Sequence, residues 1–168
     1  ELFTTVRVDA VIAGELSTAA LQQHFGNDRV IVVRYHPLNP TRNNDGGDPL
    51  ANDASLTRLA FYRSQVAPSL ILDGERLGEI DGMLGDAPRV YKSLSEKAAA
   101  RMAVPSDWTV TLTARRTGES IKVTARAKGK SPATENQRLR LLLVEERVAT
   151  PNAVNGIRRQ DMVVRWQI

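Results

Sequence analysis

The chain has 168 residues, of which 42% are apolar and 25% charged, a balance typical of a folded globular protein with one or two small domains. It contains no cysteine, which excludes disulfides, thiolate zinc sites, iron–sulfur clusters and cysteine nucleophiles. No apolar run approaches the roughly 20 residues of a membrane-spanning helix, so we expect no membrane-spanning segment.

The first residues alternate between strand and helix patterns. Leu2-Phe3 is predicted to be the end of a strand, and apolar residues then recur at helical spacing over 12–25, with Gly26 as a stop signal. The run 29–35 is rich in β-branched residues and is typical of a buried central strand. The polar stretch 37–53 then predicts a long loop.

Two further helices flank a predicted β-hairpin. Asn52 or Asp53 is the expected N-cap of one helix, and Asp86 is the expected N-cap of the other. Between them, strand 69–72 runs into the turn formers Asp73-Gly74, with 76–80 as its partner. The order is therefore strand, helix, strand, helix, hairpin, helix.

This order and several short motifs resemble the thioredoxin-like proteins of the bacterial cell envelope over about residues 1–103. The residues that carry the resemblance are Glu1-Leu2-Phe3-Thr4, the strand Val30 to His36, Asp48-Pro49-Leu50-Ala51-Asn52, Tyr62, and Val66-Ala67-Pro68-Ser69-Leu70 followed by Asp73-Gly74. The resemblance implies an α/β, thioredoxin-like fold with a four-stranded mixed sheet and flanking helices. It also implies a periplasmic or secreted location.

The redox motif of that family is missing here. In the family, the first strand leads into Cys-x-x-Cys at the start of a helix, and the matching positions in this chain hold Val8, Asp9, Ala10 and Val11. Thiol–disulfide exchange needs one thiolate to attack and a second thiol to resolve the mixed disulfide. We therefore expect no disulfide reductase or isomerase activity. Two alternatives stay open at positions 8 and 11, loss of the cysteines in nature and their replacement by mutation.

Ala67-Pro68 matches the proline beside the active site of the resembled family, and the resemblance implies a cis peptide bond there. It also implies that the residue before the proline leaves its backbone N–H and C=O free to pair with an extended peptide. Two interpretations follow for Ala67 and Pro68. Either they still line a peptide groove, or Pro68 is a scaffold feature that only shapes the entry to the next strand.

The second half of the chain differs in period and in charge. Residues 1–103 hold 11 basic and 13 acidic residues, whereas 104–168 hold 12 basic and 6 acidic. A proline lies in 103–107, which we predict to be a linker between a domain over 1–103 and one over 107–168.

Alternating apolar and polar residues predict strands in the second domain. They form a hairpin over 108–128, with one wet face, and a last strand over 162–168. The run 139–144 is apolar on both faces, so we expect one face to pack against the first domain, with the helix after Asp86 as its partner. The alternative is a sandwich in which further C-terminal strands cover both faces of this run. We predict a small all-β, sandwich-like domain of four strands, truncated, with further strands beyond Ile168.

A similar β-sandwich follows the thioredoxin-like part of the resembled proteins. The matching segments here are Leu143-Val144-Glu145-Glu146, Asn155-Gly156-Ile157-Arg158 and Met162-Val163-Val164-Arg165.

No other motif predicts a site. The loop 43–48 has oxygen donors of a calcium loop but lacks the glutamate expected at its twelfth position. His24 and His36 are too far apart in sequence to form a recognisable zinc pair. The basic residues of the second half lie on the opposite strand face from Trp108 and Trp166, so they form no stacking platform. We expect no metal, no cofactor and no nucleic-acid partner.

Three functions stay open. The first is a redox-inactive thioredoxin-like module of the cell envelope, which binds an extended peptide or an envelope protein or has a structural role. The second is a thiol-independent enzyme on the same fold, with Asp9 or His36 as its acid–base group. The third is an oxidoreductase whose cysteines were lost or mutated. The absence of thiols favours the first and argues against an enzyme.

Overall fold

A computed structural model describes residues 1–37, 47–64, 66–78 and 80–168 as a mixed α/β protein. Within these ranges the helices are α1 (Ile12–Phe25), α2 (Asp53–Phe61) and α3 (Ala87–Met102), with 3₁₀ turns at Asp9–Val11 and Leu84–Asp86. The strands are β1 (Leu2–Phe3), β2 (Arg34–Tyr35), β3 (Ser69–Leu72), β4 (Glu75–Arg76), β5 (Trp108–Thr117), β6 (Ser120–Gly129), β7 (Leu142–Glu145), β8 (Val148–Ala149), β9 (Arg159–Gln160) and β10 (Val163–Gln167).

The three helices confirm the sequence-based predictions, and their ends follow local signals. The α1 helix ends at Gly26, whose φ of 87° places it in a region that favours glycine. Asn52 is the N-cap of α2, because its side-chain oxygen accepts a hydrogen bond from the Ser55 N–H at 2.9 Å. Asp86 precedes α3, but its carboxylate accepts from the Met83 N–H at 2.9 Å instead of capping α3.

Six strands form one mixed sheet in the order β4-β3-β1-β2-β10-β7. The β1 strand is parallel to β2 and antiparallel to β3, and β3 forms an antiparallel hairpin with β4. On the other side, β10 is parallel to β2 and antiparallel to β7. A mixed sheet was predicted correctly, but it has six strands instead of four.

The strands of the second half do not form the predicted sandwich-like domain of four strands. Among the described residues, β5 and β6 pair with each other alone, β8 pairs with β9, and β7 and β10 extend the sheet of the first half. The reason lies in β10, where Val163 and Val164 are consecutive and both fully buried. A strand buried on both faces does not fit a sheet with one wet face.

The predicted boundary at 103–107 lies between the end of α3 and the start of β5. Strands from both sides of it share the six-stranded sheet. The division into two domains stays a prediction.

The sheet is packed on both faces. Side chains of one face, such as Leu2 and Leu70, join Leu21 of α1 and Leu94 of α3 in one hydrophobic cluster. Members of the other face join α2 in a second cluster, which contains Phe3, Tyr35, Leu59, Ile71 and Val164. Neighbouring strand residues therefore point to opposite clusters.

The segment 139–144 packs against the first half, as predicted, but not against the predicted partner. Leu142 and Val144 of β7 lie on the cluster that contains Leu59 of α2, whereas α3 packs on the opposite face of the sheet. Leu143 points away from that cluster and is 58% exposed.

Candidate functional site

The segment that follows β1 places positions 8–11, which the resemblance matches to the redox motif, at the start of α1. Val8 is extended and half-buried, Asp9 is exposed, Ala10 is half-buried and Val11 is fully buried. The 3₁₀ turn over Asp9–Val11 leads directly into the helix. The positions therefore lie in the connection between strand β1 and the N-terminus of helix α1.

The segment 80–82 is hydrogen-bonded to the start of α1. The Gly82 N–H donates to the Ala10 carbonyl at 2.7 Å, and the Ala13 N–H donates to the Gly82 carbonyl at 3.0 Å. A Cβ on Gly14 would lie 3.1 Å from the Ile80 carbonyl oxygen, which is tighter than ordinary contact. Glycine at position 14 lets this segment approach the helix closely.

A second loop lies beside this turn, and it contains Ala67 and Pro68. The peptide bond between them is cis. The Ser69 hydroxyl donates to the Val66 carbonyl at 2.7 Å and lies 3.0 Å from the Ser64 hydroxyl, so side chains hold the loop from within. Within the described parts of the chain, the backbone N–H and C=O of Ala67 make no hydrogen bond.

The structure brings some of the predicted site residues together around one cleft. The cleft has a volume of about 640 Å³ and is lined by Ala10, by 66–69 and by the described residues of 76–81. Among the described lining residues most are apolar, one is basic, Arg76, and one is acidic, Asp81. Ala10, Ala67 and Pro68 thus share a cleft, which Val8, Asp9 and Val11 do not line.

A buried His–Asp pair lies where the chain leaves β1 and β2, and the sequence analysis did not predict it. The His36 Nδ1 is 2.8 Å from the Asp48 carboxylate, which also accepts from the N–H groups of Val6 at 3.1 Å and Leu50 at 2.9 Å. Burial alone raises the pKa of Asp48, but the hydrogen bond and charge of His36 and the Leu50 N–H outweigh it and hold the pKa below its ordinary value.

The His–Asp pair fixes the loop after β1 and does not open onto the cleft. His36 is completely buried, and its second ring nitrogen, Nε2, is buried with no hydrogen-bond partner among the described residues. The sequence signal was present, because Asp48 belongs to one of the motifs that carry the resemblance, but the sequence did not reveal that His36 would be its partner.

A second buried pair joins α1 to the sheet. The Arg34 Nε donates to the Glu15 carboxylate at 2.7 Å, and an Nη1 of the same guanidinium donates to the Asp161 carbonyl at 2.9 Å. The side chains of Arg34 and Glu15 are 7% and 3% exposed. The pair therefore connects β2, α1 and the turn before β10.

Metal and membrane sites receive no support from the described residues. No group of three or more His, Asp or Glu side chains in the described ranges lies close enough together to hold a metal ion. Most of the loop 43–48 lies outside those ranges. Every described helix is too short or too polar to cross a bilayer.

Comparisons with known proteins identified no relative of this chain. A scan against protein-family models, a search of curated proteins and a search of solved structures each found no match to this chain. Its function must therefore be argued from its own residues.

Proposed function

We propose that this chain is a thioredoxin-like module without thiol chemistry, and that it binds an extended peptide in the cleft beside Ala10, Ala67 and Pro68. One observation carries the proposal, which is that this cleft contains a residue, Ala67, whose backbone N–H and C=O have no partner in the described chain. Unpaired peptide groups beside an apolar cleft suit the addition of a peptide strand.

The arrangement of the first four strands supports the thioredoxin-like part of the proposal. Strands β4, β3, β1 and β2 are neighbours in that order, with β1 and β2 parallel and the other pairs antiparallel. This is the arrangement expected of a thioredoxin fold. Val8 and Val11 lie after β1, at the entry to α1, where the resembled family carries its cysteines.

The chemistry of the cleft suits binding without covalent exchange. A peptide strand would pair with Ala67 through its backbone, and the apolar wall would receive its side chains. Arg76 and Asp81 would favour a peptide that carries charges of opposite sign along its length. With no thiol in the chain, the bound peptide cannot form a mixed disulfide with this protein.

A thiol-independent enzyme is less well supported by the same residues. Asp9 is exposed and does not line the cleft, and the free nitrogen of His36 is buried. A general acid or base must come within hydrogen-bond reach of the group it serves. The periplasmic or secreted location that the resemblance implies is part of the proposal and fits a peptide-binding module of the cell envelope.

The cleft can be tested with a variant that fills it. A Cβ on Gly78 meets nothing within 4 Å, and its φ is ordinary, so Gly78→Val adds a side chain to the cleft wall without strain. Gly85→Val is the matched control, because Gly85 is equally open and lies outside the cleft.

The readout is amide chemical-shift change during titration with a mixture of extended peptides of varied sequence. We expect shifts at Ala67 and Leu77 in the wild type and in Gly85→Val, and their loss in Gly78→Val. Shifts that are absent from the cleft, or that persist in Gly78→Val, would show that the cleft is not the binding site.

A second experiment tests the resemblance itself by restoring the motif. The double variant Val8→Cys/Val11→Cys places two thiols at the N-terminal end of a helix, where a thiolate is stabilised. We expect it to reduce insulin disulfides in the presence of dithiothreitol, whereas the wild type gives the rate of dithiothreitol alone. An inactive but folded double variant would argue against the assignment of positions 8 and 11.

A further inference from the structure

A second cavity lies toward the opposite end of the six-stranded sheet from the proposed peptide cleft. It has a volume of about 500 Å³, within the roughly 300–1,000 Å³ of small-molecule sites. Its walls come from α1, the start of β2, the turn between β7 and β8, and the segment 159–162. The cleft lies beyond the carboxyl end of β1, whereas this cavity lies at the amino ends of the parallel strands β2 and β10. The two share no described lining residue.

Three arginine side chains, Arg34, Arg147 and Arg159, line this space, which we call the arginine cavity. Arg34 is the buried one, with 7% of its side chain exposed. Its Nε donates to the Glu15 carboxylate and its Nη1 donates to the Asp161 carbonyl. A guanidinium has five N–H groups, so these two bonds leave donors of a buried cation available beside the cavity.

Arg147 provides the positive charge of the cavity that no carboxylate balances. The charge of Arg34 is balanced by Glu15, and the Nε of Arg159 lies 3.2 Å from the Asp161 carboxylate. Arg147 is exposed in the turn between β7 and β8, and it has no ion pair or hydrogen bond with the described part of the chain. An anion that enters the cavity therefore meets directed donors on Arg34 and an unpaired charge on Arg147.

The backbone is strained at two places in the wall of the arginine cavity. Arg147 has a φ of 59° and Met162 a φ of 56°, in the left-handed region that residues with long side chains rarely adopt. The Arg34 N–H donates to the Met162 carbonyl at 2.9 Å, so the arginine also holds this part of the wall. Such conformations concentrate at ligand-binding and active sites, where the surrounding structure maintains them.

We propose that the arginine cavity binds a small polar molecule through a single carboxylate, which accepts hydrogen bonds from Arg34 and Arg147. A planar guanidinium matches the geometry of a carboxylate and forms short, charge-assisted hydrogen bonds with it. Gln22 and Gln23 of α1 also line the cavity, and their amides can donate to or accept from the polar remainder of the molecule.

The acidic residues of the cavity favour a ligand with one negative charge over a phosphate dianion. Glu146 and Asp161 both line the cavity, and Glu146 has no ion pair among the residues that the structure describes. A second charge on the ligand would be repelled by these carboxylates. Because the arginine cavity and the peptide cleft are separate, this proposal does not depend on the proposed function.

The ligand class can be tested with two molecules that differ in charge. Lactate and lactamide have nearly the same size and the same hydroxyl group, but only lactate carries a carboxylate. In an NMR titration at constant ionic strength, lactate should cause saturable amide shifts at Arg147 and Met162, and lactamide should not. Inorganic phosphate should bind there at least about tenfold more weakly than lactate.

The location can be tested with two matched pairs of variants. Ala19→Phe fills the cavity from α1, and Ala20→Phe adds the same side chain to the next exposed residue, which does not line it. Arg147→Gln removes the unpaired charge, and Arg126→Gln removes an exposed charge on β6. Ala19→Phe and Arg147→Gln should each bind lactate at least about tenfold more weakly, whereas the two controls should bind as the wild type does.

Four results would overturn the proposal. Lactate could cause no saturable shift at the cavity up to about 50 mM, or lactamide could cause the same shifts as lactate. Phosphate could bind more tightly than lactate, which would show a site for a dianion. Finally, Ala19→Phe and Arg147→Gln could both keep the affinity of the wild type, which would show that lactate binds elsewhere. Neither variant alters the buried Glu15–Arg34 pair, so the fold is preserved in both.

Discussion

The six-stranded sheet and the β5–β6 hairpin show opposite relations between sequence pattern and burial. The hairpin alternates apolar and polar residues regularly over two ten-residue strands, yet nearly all its side chains are exposed. The strands β1 and β2 are two residues long and do not alternate, yet Leu2, Phe3 and Tyr35 are completely buried. A clear pattern therefore identifies an element without showing whether anything covers it.

The difference arises from what packs on each sheet. Helices cover both faces of the long sheet, so consecutive residues such as Leu2 and Phe3 are buried in different clusters. The hairpin has an apolar side that no described element covers. Its stability depends on strand pairing and on whatever contact completes it, whereas the stability of the sheet comes from packed side chains.

The largest loss of stability is expected when the buried ion pair between Glu15 of α1 and Arg34 of the sheet is broken. Glu15→Ala leaves the Arg34 guanidinium buried beside an empty position, and removal of one partner from a buried pair destabilises a protein by about 3–5 kcal/mol. Urea denaturation followed by circular dichroism should show this loss. Glu15→Gln, which keeps a hydrogen-bond acceptor, should lose less, and a loss below about 1 kcal/mol in Glu15→Ala would show that the pair is not structurally important.

The next prediction makes one chemical change in both regions. Leu94 is 2% exposed and Leu112 is 59% exposed. Leu94→Ala should lower the free energy of unfolding by about 2–5 kcal/mol, because it leaves a cavity in the cluster beneath α3. Leu112→Ala should change it by less than about 0.5 kcal/mol when measured at low protein concentration. Equal effects would contradict the contrast between a packed sheet and an uncovered hairpin.

The same contrast explains what the sequence predicted well and what it did not. Helical spacing and capping residues predicted all three helices, and alternation predicted the hairpin, because these signals are local. The place of β7 and β10 in the long sheet depends on contacts between residues far apart in sequence, and the pair Val163-Val164 broke the alternation that was assumed for β10. Local patterns do not determine which strands become neighbours.

The candidate site also contains residues that the sequence analysis singled out and a contact that it did not predict. Ala67 and Pro68, which the sequence analysis named as a possible peptide groove, line one cleft together with Ala10, whereas nothing in the spacing of His36 and Asp48 predicted their contact. The His36–Asp48 pair forms because loop 47–52 returns to the end of β2, which is a consequence of the folded chain path.

A third prediction tests the buried carboxylate of Asp48. Since the pKa of Asp48 in the folded protein is below its ordinary value of 3.8, its ionised form contributes stability above that value. This contribution is lost as the pH falls through the pKa of the folded state. Asp48→Asn should lower stability at neutral pH by about 1–3 kcal/mol and should flatten the acid side of the stability profile. The measurement is urea denaturation at a series of pH values.

The control for Asp48→Asn is Asp107→Asn, because Asp107 is an exposed carboxylate at the base of the hairpin. It should leave the acid side of the profile nearly unchanged. An Asp48→Asn variant with the pH profile of the wild type would mean that the His36–Asp48 contact does not control acid stability.

The smallest expected effect concerns the exposed ion pair that closes the hairpin. The Lys130 Nζ is 2.8 Å from the Asp107 carboxylate, and the two side chains are 69% and 71% exposed. Asp107→Ala should weaken the hairpin by no more than about 1 kcal/mol.

Trp108 is the adjacent residue and Trp166 lies in the long sheet, so each region has its own fluorescent reporter. In a Trp166→Phe background, Asp107→Ala should shift the Trp108 unfolding transition to a slightly lower urea concentration. In a Trp108→Phe background, the Trp166 transition should not move, because β10 is stabilised by packing that the hairpin does not share. If Asp107→Ala shifts both transitions equally, the hairpin and the sheet unfold as one cooperative unit, and the difference between the two regions is one of exposure alone.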